Sequence, residues 1–254
     1  MRIPRIISLG LLAASVLALP GCAQMDGVVK STKNFYYNHI NTPTTLDVED
    51  RTVLTENESG LVQRVMLIDE ELAKLEKALD AMATPPDADG AAALLRRFPW
   101  LSGLAMVAPD GTLGASIPPV PLKQLDYTPL LELAPKALHR DLRSSVQDSP
   151  FGPEILVARP FIVEDELQLL LVASFDFRAL LPYAASPSDL IVRSADVLIW
   201  SGEMDYEATP LAGIDWADYL KGRTHGELSN KEMEMLWVTR YLGGKPIVFA
   251  SRAH

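Results

Sequence analysis

The sequence predicts an α+β protein in which one long N-terminal helix is followed by two antiparallel sheets. Three observations carry this reading. Apolar residues at Leu61, Val65, Ile68, Leu72, Leu75, Leu79 and Met82 recur at alternating steps of four and three, which places them on one face of a helix. Glu154 to Asp176 reads as two apolar strands joined by an acidic turn at Glu164, Asp165 and Glu166, a hairpin signal. A shorter hairpin returns at Glu234 to Arg252, where EMLWVTRY, LGGK and PIVFASR repeat the order strand, turn, strand.

The first 21 residues stand apart from this fold. Arg2 and Arg5 form a basic start, and Ile6 to Leu19 is an apolar stretch of about 14 residues where a membrane span needs about 20. It therefore reads as a signal peptide. Leu19-Pro20-Gly21-Cys22 resembles the lipobox of bacterial lipoproteins, which implies cleavage before Cys22 and lipid attachment there. The other reading is an ordinary secretion signal beside a stray cysteine. Cys22 is the only cysteine, so a disulfide within the chain is excluded, and a lone thiol in an oxidising envelope suits a lipid site. By the same resemblance Ala23, standing where aspartate does not, goes with outer-membrane sorting in enteric-type bacteria. The expected location is thus the periplasmic face of the envelope, the outer membrane ahead of the inner.

Charge narrows the partners. The formal net charge is −10, and loss of Arg2 and Arg5 with the signal takes it to −12. Such a surface repels phosphate backbones and anionic headgroups, so no nucleic acid partner is expected. Hydrophobic residues make up 48% of the chain, ample for a core.

Taken in order, residues 22–50 form a tether, with Phe35, Tyr36 and Tyr37 as an aromatic patch that packs locally or docks. Residues 51–183 hold the long helix and a first subdomain, and 184–254 a smaller second one. The helix, about Glu56 to Met82, carries a heptad seam with Glu70 four residues before Lys74. Val62, Met66 and Leu67 widen its apolar face, which suits a helix lying across a sheet; the other reading is a seam for a homodimer or an envelope partner through Leu61–Met82. Pro85 and Pro86 stop this helix, and Gly90 to Arg97 forms a short one. Leu101–Val107 and Thr112–Ile117 flank Pro109-Asp110-Gly111 as a hairpin. A proline-rich connection, Pro118 to Leu122, leads to a weakly helical Tyr127–Leu138 and a strand at Leu142–Val146. Phe177–Tyr183 closes the first half as a short helix.

The order then restarts. Asp189–Arg193 and Val197–Trp200 form a hairpin, Asp215–Leu220 a short helix, His225–Leu228 a strand, and the Glu234–Arg252 hairpin completes the set. LDYTPLL at Leu125–Leu131 matches IDWADYL at Ile214–Leu220, and VARPF at Val157–Phe161 matches VTRYL at Val238–Leu242.

A long helix followed by two sheets of this order resembles the double Cache fold, the PAS-like extracytoplasmic sensor module of chemoreceptors and sensor kinases. The resemblance covers about Glu56 to Arg252 and rests on Pro109-Asp110-Gly111 after an apolar strand, Asp126-Tyr127 at the connection, and Asp176 closing the last strand of the first half. It implies a ligand held against the first sheet, with Tyr127 as the aromatic of the crossing segment and Asp176 as the residue that holds a ligand ammonium in amino-acid-binding members. Leu130 and Glu132 stand where those members have arginine and tryptophan. Asp176 also reads as an N-cap for Phe177–Tyr183. Arg159 interrupts an apolar strand, where it meets a ligand carboxylate or pairs structurally. The candidate ligand residues are therefore Tyr127, Arg159 and Asp176, for a small molecule of the amine or carboxylate class. With the chain ending at His254, no signalling domain of its own is expected.

Chemistry of other kinds finds little footing. His39, His139, His225 and His254 lack metal-ligand spacing, Gly243-Gly244-Lys245 lacks the rest of a phosphate loop, and no nucleophile elbow appears. No enzyme activity, metal or cofactor is expected. A lipid-anchored binding protein of the sensor type leads, and a structural or interaction lipoprotein that kept the fold is the alternative.

Overall fold

In the computed structural model, residues 56–132 and 141–253 are described. The signal peptide, Cys22, the tether with Phe35, Tyr36 and Tyr37, most of the second half of the expected Tyr127–Leu138 helix, and His39, His139 and His254 lie outside them. Helix α1, Glu56–Asp80, carries the apolar seam that its spacing predicts. Leu61, Ile68, Leu72, Leu75 and Leu79 are at most 1% exposed, and Val65 is buried beside them. They pack into one cluster with Ile155, Val157, Leu171 and Phe175 of the first sheet and Leu236, Ile247 and Phe249 of the second. At about 1.5–3 kcal/mol per fully buried large aliphatic side chain, this seam is a major stabilising element. The expectation of a homodimer or partner surface along Leu61–Met82 is corrected accordingly: the seam is taken up inside the chain's own core.

Helix α2, Ala88–Arg97, starts two residues before its sequence expectation because the Asp87 carboxylate caps it, accepting from the Gly90 N–H at 2.8 Å. Two five-stranded antiparallel sheets follow. The first holds β1 (Gly103–Val107), β2 (Leu113–Ile117), β3 (Arg143–Gln147), β4 (Glu154–Val163) and β5 (Glu166–Phe175), ordered β2-β1-β5-β4-β3. The second holds β6 (Ile191–Ser194), β7 (Leu198–Trp200), β8 (His225–Ser229), β9 (Glu234–Leu242) and β10 (Lys245–Arg252), ordered β7-β6-β10-β9-β8. The two orders are the same, so the internal echo in the sequence is a structural repeat. A long helix followed by two such sheets is the α+β arrangement that the sequence predicts.

Local chemistry explains the details. The β4–β5 turn has only two central residues, Glu164 and Asp165, both left-handed at φ 52° and 63°, and Glu166 already pairs with Val163. Positive φ at both central positions matches the right-handed twist of the strands. Pro160 is tolerated because β3 pairs with β4 only up to Ala158, leaving that side of Pro160 outside the ladder. Helix α3, Thr128–Leu131, is a single turn, and Arg143 Nη1 donates to the Leu130 carbonyl at 2.8 Å.

Helix α1 is tied to the second sheet by charge as well as packing. Arg240 on β9 is 4% exposed and donates to Asp69 at 2.5 Å and to Glu76 at 2.8 Å. Burial would lower its pKa, but the two carboxylates outweigh that and raise it. Where the sheets approach, Gly243 has φ +50° and a Cβ there would lie 2.6 Å from the Arg143 carbonyl carbon, so only glycine fits. The Ser144 hydroxyl donates to the Leu242 carbonyl across the same contact.

Candidate functional site

Strand alternation sets up two faces on the first sheet. On β4 and β5 one set, Ile155, Val157, Leu171, Ala173 and Phe175, joins the cluster of α1. The other set, Leu156, Ala158, Leu170 and Val172, packs with Ala105, Val107, Tyr127 and Leu130. At the end of this second face nearest Ser174 and Asp176 the packing opens into a cleft of about 420 Å³. Its floor is β1 around Gly103 to Ala105, and a proline-rich segment, residues 118–125, crosses it. Gly103 permits the close crossing, since a Cβ there would sit 2.6 Å from the Ile117 carbonyl oxygen.

One wall is apolar and the other charged. Ala105, Pro121, Leu122, Leu125, Tyr127 and Phe151 give the first, and Lys123, Glu154, Asp176 and Arg178 the second. Leu122 and Phe151 are largely exposed, so the mouth is also apolar. Lys123 Nζ lies 2.7 Å from Glu154 Oε2, an ion contact without hydrogen-bond alignment, and donates to Asp176 Oδ2 at 2.9 Å and the Pro153 carbonyl at 3.1 Å. Arg178 grips Asp176 with two prongs, Nε to Oδ1 at 2.9 Å and Nη2 to Oδ2 at 2.5 Å, and also donates to the Phe151 carbonyl. The Asp176 backbone N–H donates to the Ser102 hydroxyl at 3.2 Å.

These contacts set the charge state. Burial by itself would raise the Asp176 pKa, but hydrogen bonds from Arg178 and Lys123 prevail and hold the carboxyl well below the usual carboxylate range. The same pairing raises the Arg178 pKa. Burial pushes the Tyr127 phenol up, so it is neutral at physiological pH.

Two of the three sequence candidates meet here. Tyr127 and Asp176 line the cleft, and Asp176 is also the N-cap of the 3₁₀ helix Phe177–Tyr183, accepting from the Arg178 N–H at 2.9 Å. The capping reading of that residue holds, and the same carboxylate lies on the cleft wall. Arg159 is absent from the cleft lining and its placement among the ligand residues is corrected: it shares the strand parity of Ile155 and Val157, points toward α1, and bonds Asp80 at 3.2 Å. Sequence reasoning passed over Lys123, Glu154 and Arg178. The available signals were a lone charge inside a proline-rich apolar connection, an acidic residue opening an apolar strand, and an arginine two residues after the capping aspartate.

The equivalent face of the second sheet is filled. Trp216, aligned with Tyr127 in the repeat, stacks edge-on against Trp237 at 5.5 Å and Tyr219 at 5.6 Å, with Tyr219 and Trp237 also 5.6 Å apart. Arg193 completes that cluster, its guanidinium over the Tyr206 and Trp216 rings.

No protein-family model matches the sequence, and no curated protein matches it. Among solved structures the chain is similar to the ligand-binding domain of the Pseudomonas fluorescens chemoreceptor CtaA in complex with L-isoleucine, at 11% identity and a TM-score of 0.48, over 90% of this chain and 95% of that one. It is similar to the ligand-binding domain of the Pseudomonas aeruginosa amino acid chemoreceptor PctC in complex with GABA, at 12% identity and a TM-score of 0.47, over 78% and 96% of the two chains. It is also similar to an extracellular ligand binding receptor from Desulfohalobium retbaense, at 13% identity and a TM-score of 0.47, where the match covers 83% of this chain and 41% of that longer one.

Proposed function

We propose that this chain is a lipid-anchored extracytoplasmic binding module, held at the envelope through Cys22, that takes a small molecule into the cleft of its first sheet. The observation that supports this is the cleft itself, about 420 Å³ with an apolar wall facing a charged one. A concave, mostly apolar site with a few convergent polar groups is the usual form of a small-molecule pocket. The first sheet keeps that space where the second fills its equivalent face with Trp216, Trp237 and Tyr219.

The test is thermal unfolding of the full chain in detergent against a library of amino acids, carboxylates, amines and purines. A ligand at about 100 times its Kd adds about 2.7 kcal/mol to the folded state. The expected outcome is that one chemical class raises the midpoint and that Ser116→Trp, which fills the cleft from β2, removes the shift while the variant still folds. A library that moves nothing overturns the reading.

A further inference from the structure

The ammonium of Lys123 has three oxygens within 3.1 Å: Glu154 Oε2, Asp176 Oδ2 and the Pro153 carbonyl. Two of them, Asp176 Oδ2 and the Pro153 carbonyl, accept hydrogen bonds from the ammonium, and Glu154 Oε2 meets it as an ion contact. Glu154 is 2% exposed, and a buried carboxylate requires a cation beside it. The cation comes from the chain, on the proline-rich segment that crosses the cleft, and Arg178 holds the remaining side of Asp176.

We propose that Lys123 is a built-in occupant of an ammonium site, so that the cleft excludes ligands bearing a primary ammonium and selects apolar molecules that lack one. Such a ligand packs against Ala105, Tyr127 and Phe151 and leaves the Lys123 contacts in place. A free amine has to compete with an ammonium tethered a few ångströms away, whose effective concentration is in the millimolar range or above. The proposal rests on the cleft being a ligand site and narrows the class of ligand that enters it.

The experiment compares the full-length wild type with Lys123→Ala, using butylammonium, tetramethylammonium and butyrate as probes in thermal unfolding. Removing the lysine opens the three-oxygen site to an outside amine. Butylammonium is expected to raise the Lys123→Ala midpoint by several degrees and to bind that variant at least about tenfold more tightly than wild type. Tetramethylammonium, with no N–H donor, and butyrate leave it unmoved. Adding Glu154→Gln to Lys123→Ala removes the gain. If Lys123→Ala does not fold in plain buffer, refolding yield is read instead, and butylammonium alone restores it. Equal response of wild type and variant to butylammonium overturns the proposal, as does a variant that answers none of the probes or all of them alike. These readings use a variant and a defined amine, so they are independent of whether the wild-type library screen finds a ligand.

Discussion

Asp176 shows how one residue serves structure and site together. Its carboxylate caps the 3₁₀ helix, accepts from Lys123 and is forked by Arg178. Because its folded pKa lies below the ordinary value of about 3.9, its stabilisation is complete above that value and is lost as pH falls through the depressed folded pKa. Asp176→Asn is therefore expected to cost about 1.5–3 kcal/mol at neutral pH, the range for hydrogen bonds to charged groups, with the gap from wild type closing in acid. Denaturant melts at neutral pH and near pH 3 measure this; a gap that widens in acid contradicts it. The two repeat-related arginines separate just as clearly. Arg240→Leu strands Asp69 and Glu76 near the core and is expected to cost about 3–5 kcal/mol. Arg159→Leu loses a pair whose Asp80 partner is 60% exposed and is expected to cost about 1 kcal/mol or less. The repeat held the clue to Arg159, since VARPF aligns with VTRYL and both arginines reach acids on α1.

At the scale of elements, α1 was legible from its spacing because a helix brings residues three and four apart onto one side whatever surrounds it. What the spacing left open was the occupant of that side, a second helix or a sheet. The seam's burial makes a contrast within one helix testable by equilibrium unfolding. Leu72→Ala is expected to cost about 2–5 kcal/mol, and Leu67→Ala, at a residue 50% exposed, no more than about 0.5 kcal/mol. Neither is expected to change the oligomeric state, which light scattering reads. The β4–β5 hairpin was legible too, apart from the extent of its turn. Glu164 and Asp165 hold left-handed conformations that cost a non-glycine residue roughly 1–2 kcal/mol, so the Glu164→Asn, Asp165→Gly double variant is expected to raise the melting midpoint.

Across the whole molecule, one topology used twice gives two different outcomes. The second sheet closes its outer face with interlocking aromatics, while the first keeps a cleft under the 118–125 segment. Occupancy of that cleft is expected to slow amide hydrogen exchange in residues 118–127 and along β1 and β2 while leaving the second sheet at its own rate. Protection spread evenly over both sheets points instead to global stabilisation without a localised site.

The sequence by itself determined the type and order of the elements, the hairpins and the internal repeat, because periods of 3.6 and 2 and the chemistry of turns act over a few residues. It also marked Tyr127 and Asp176 through their resemblance to a known fold. The tertiary structure alone decided which face of each sheet α1 covers, which face is left open, and which charges meet. Lys123 reaches Asp176 across 53 residues of chain, and Arg240 reaches Asp69 across 171. Contacts at that separation depend on how strands are ordered and which way their side chains face. Periodicity shows that two sets of side chains alternate, and only packing assigns one set to the core and the other to the cleft.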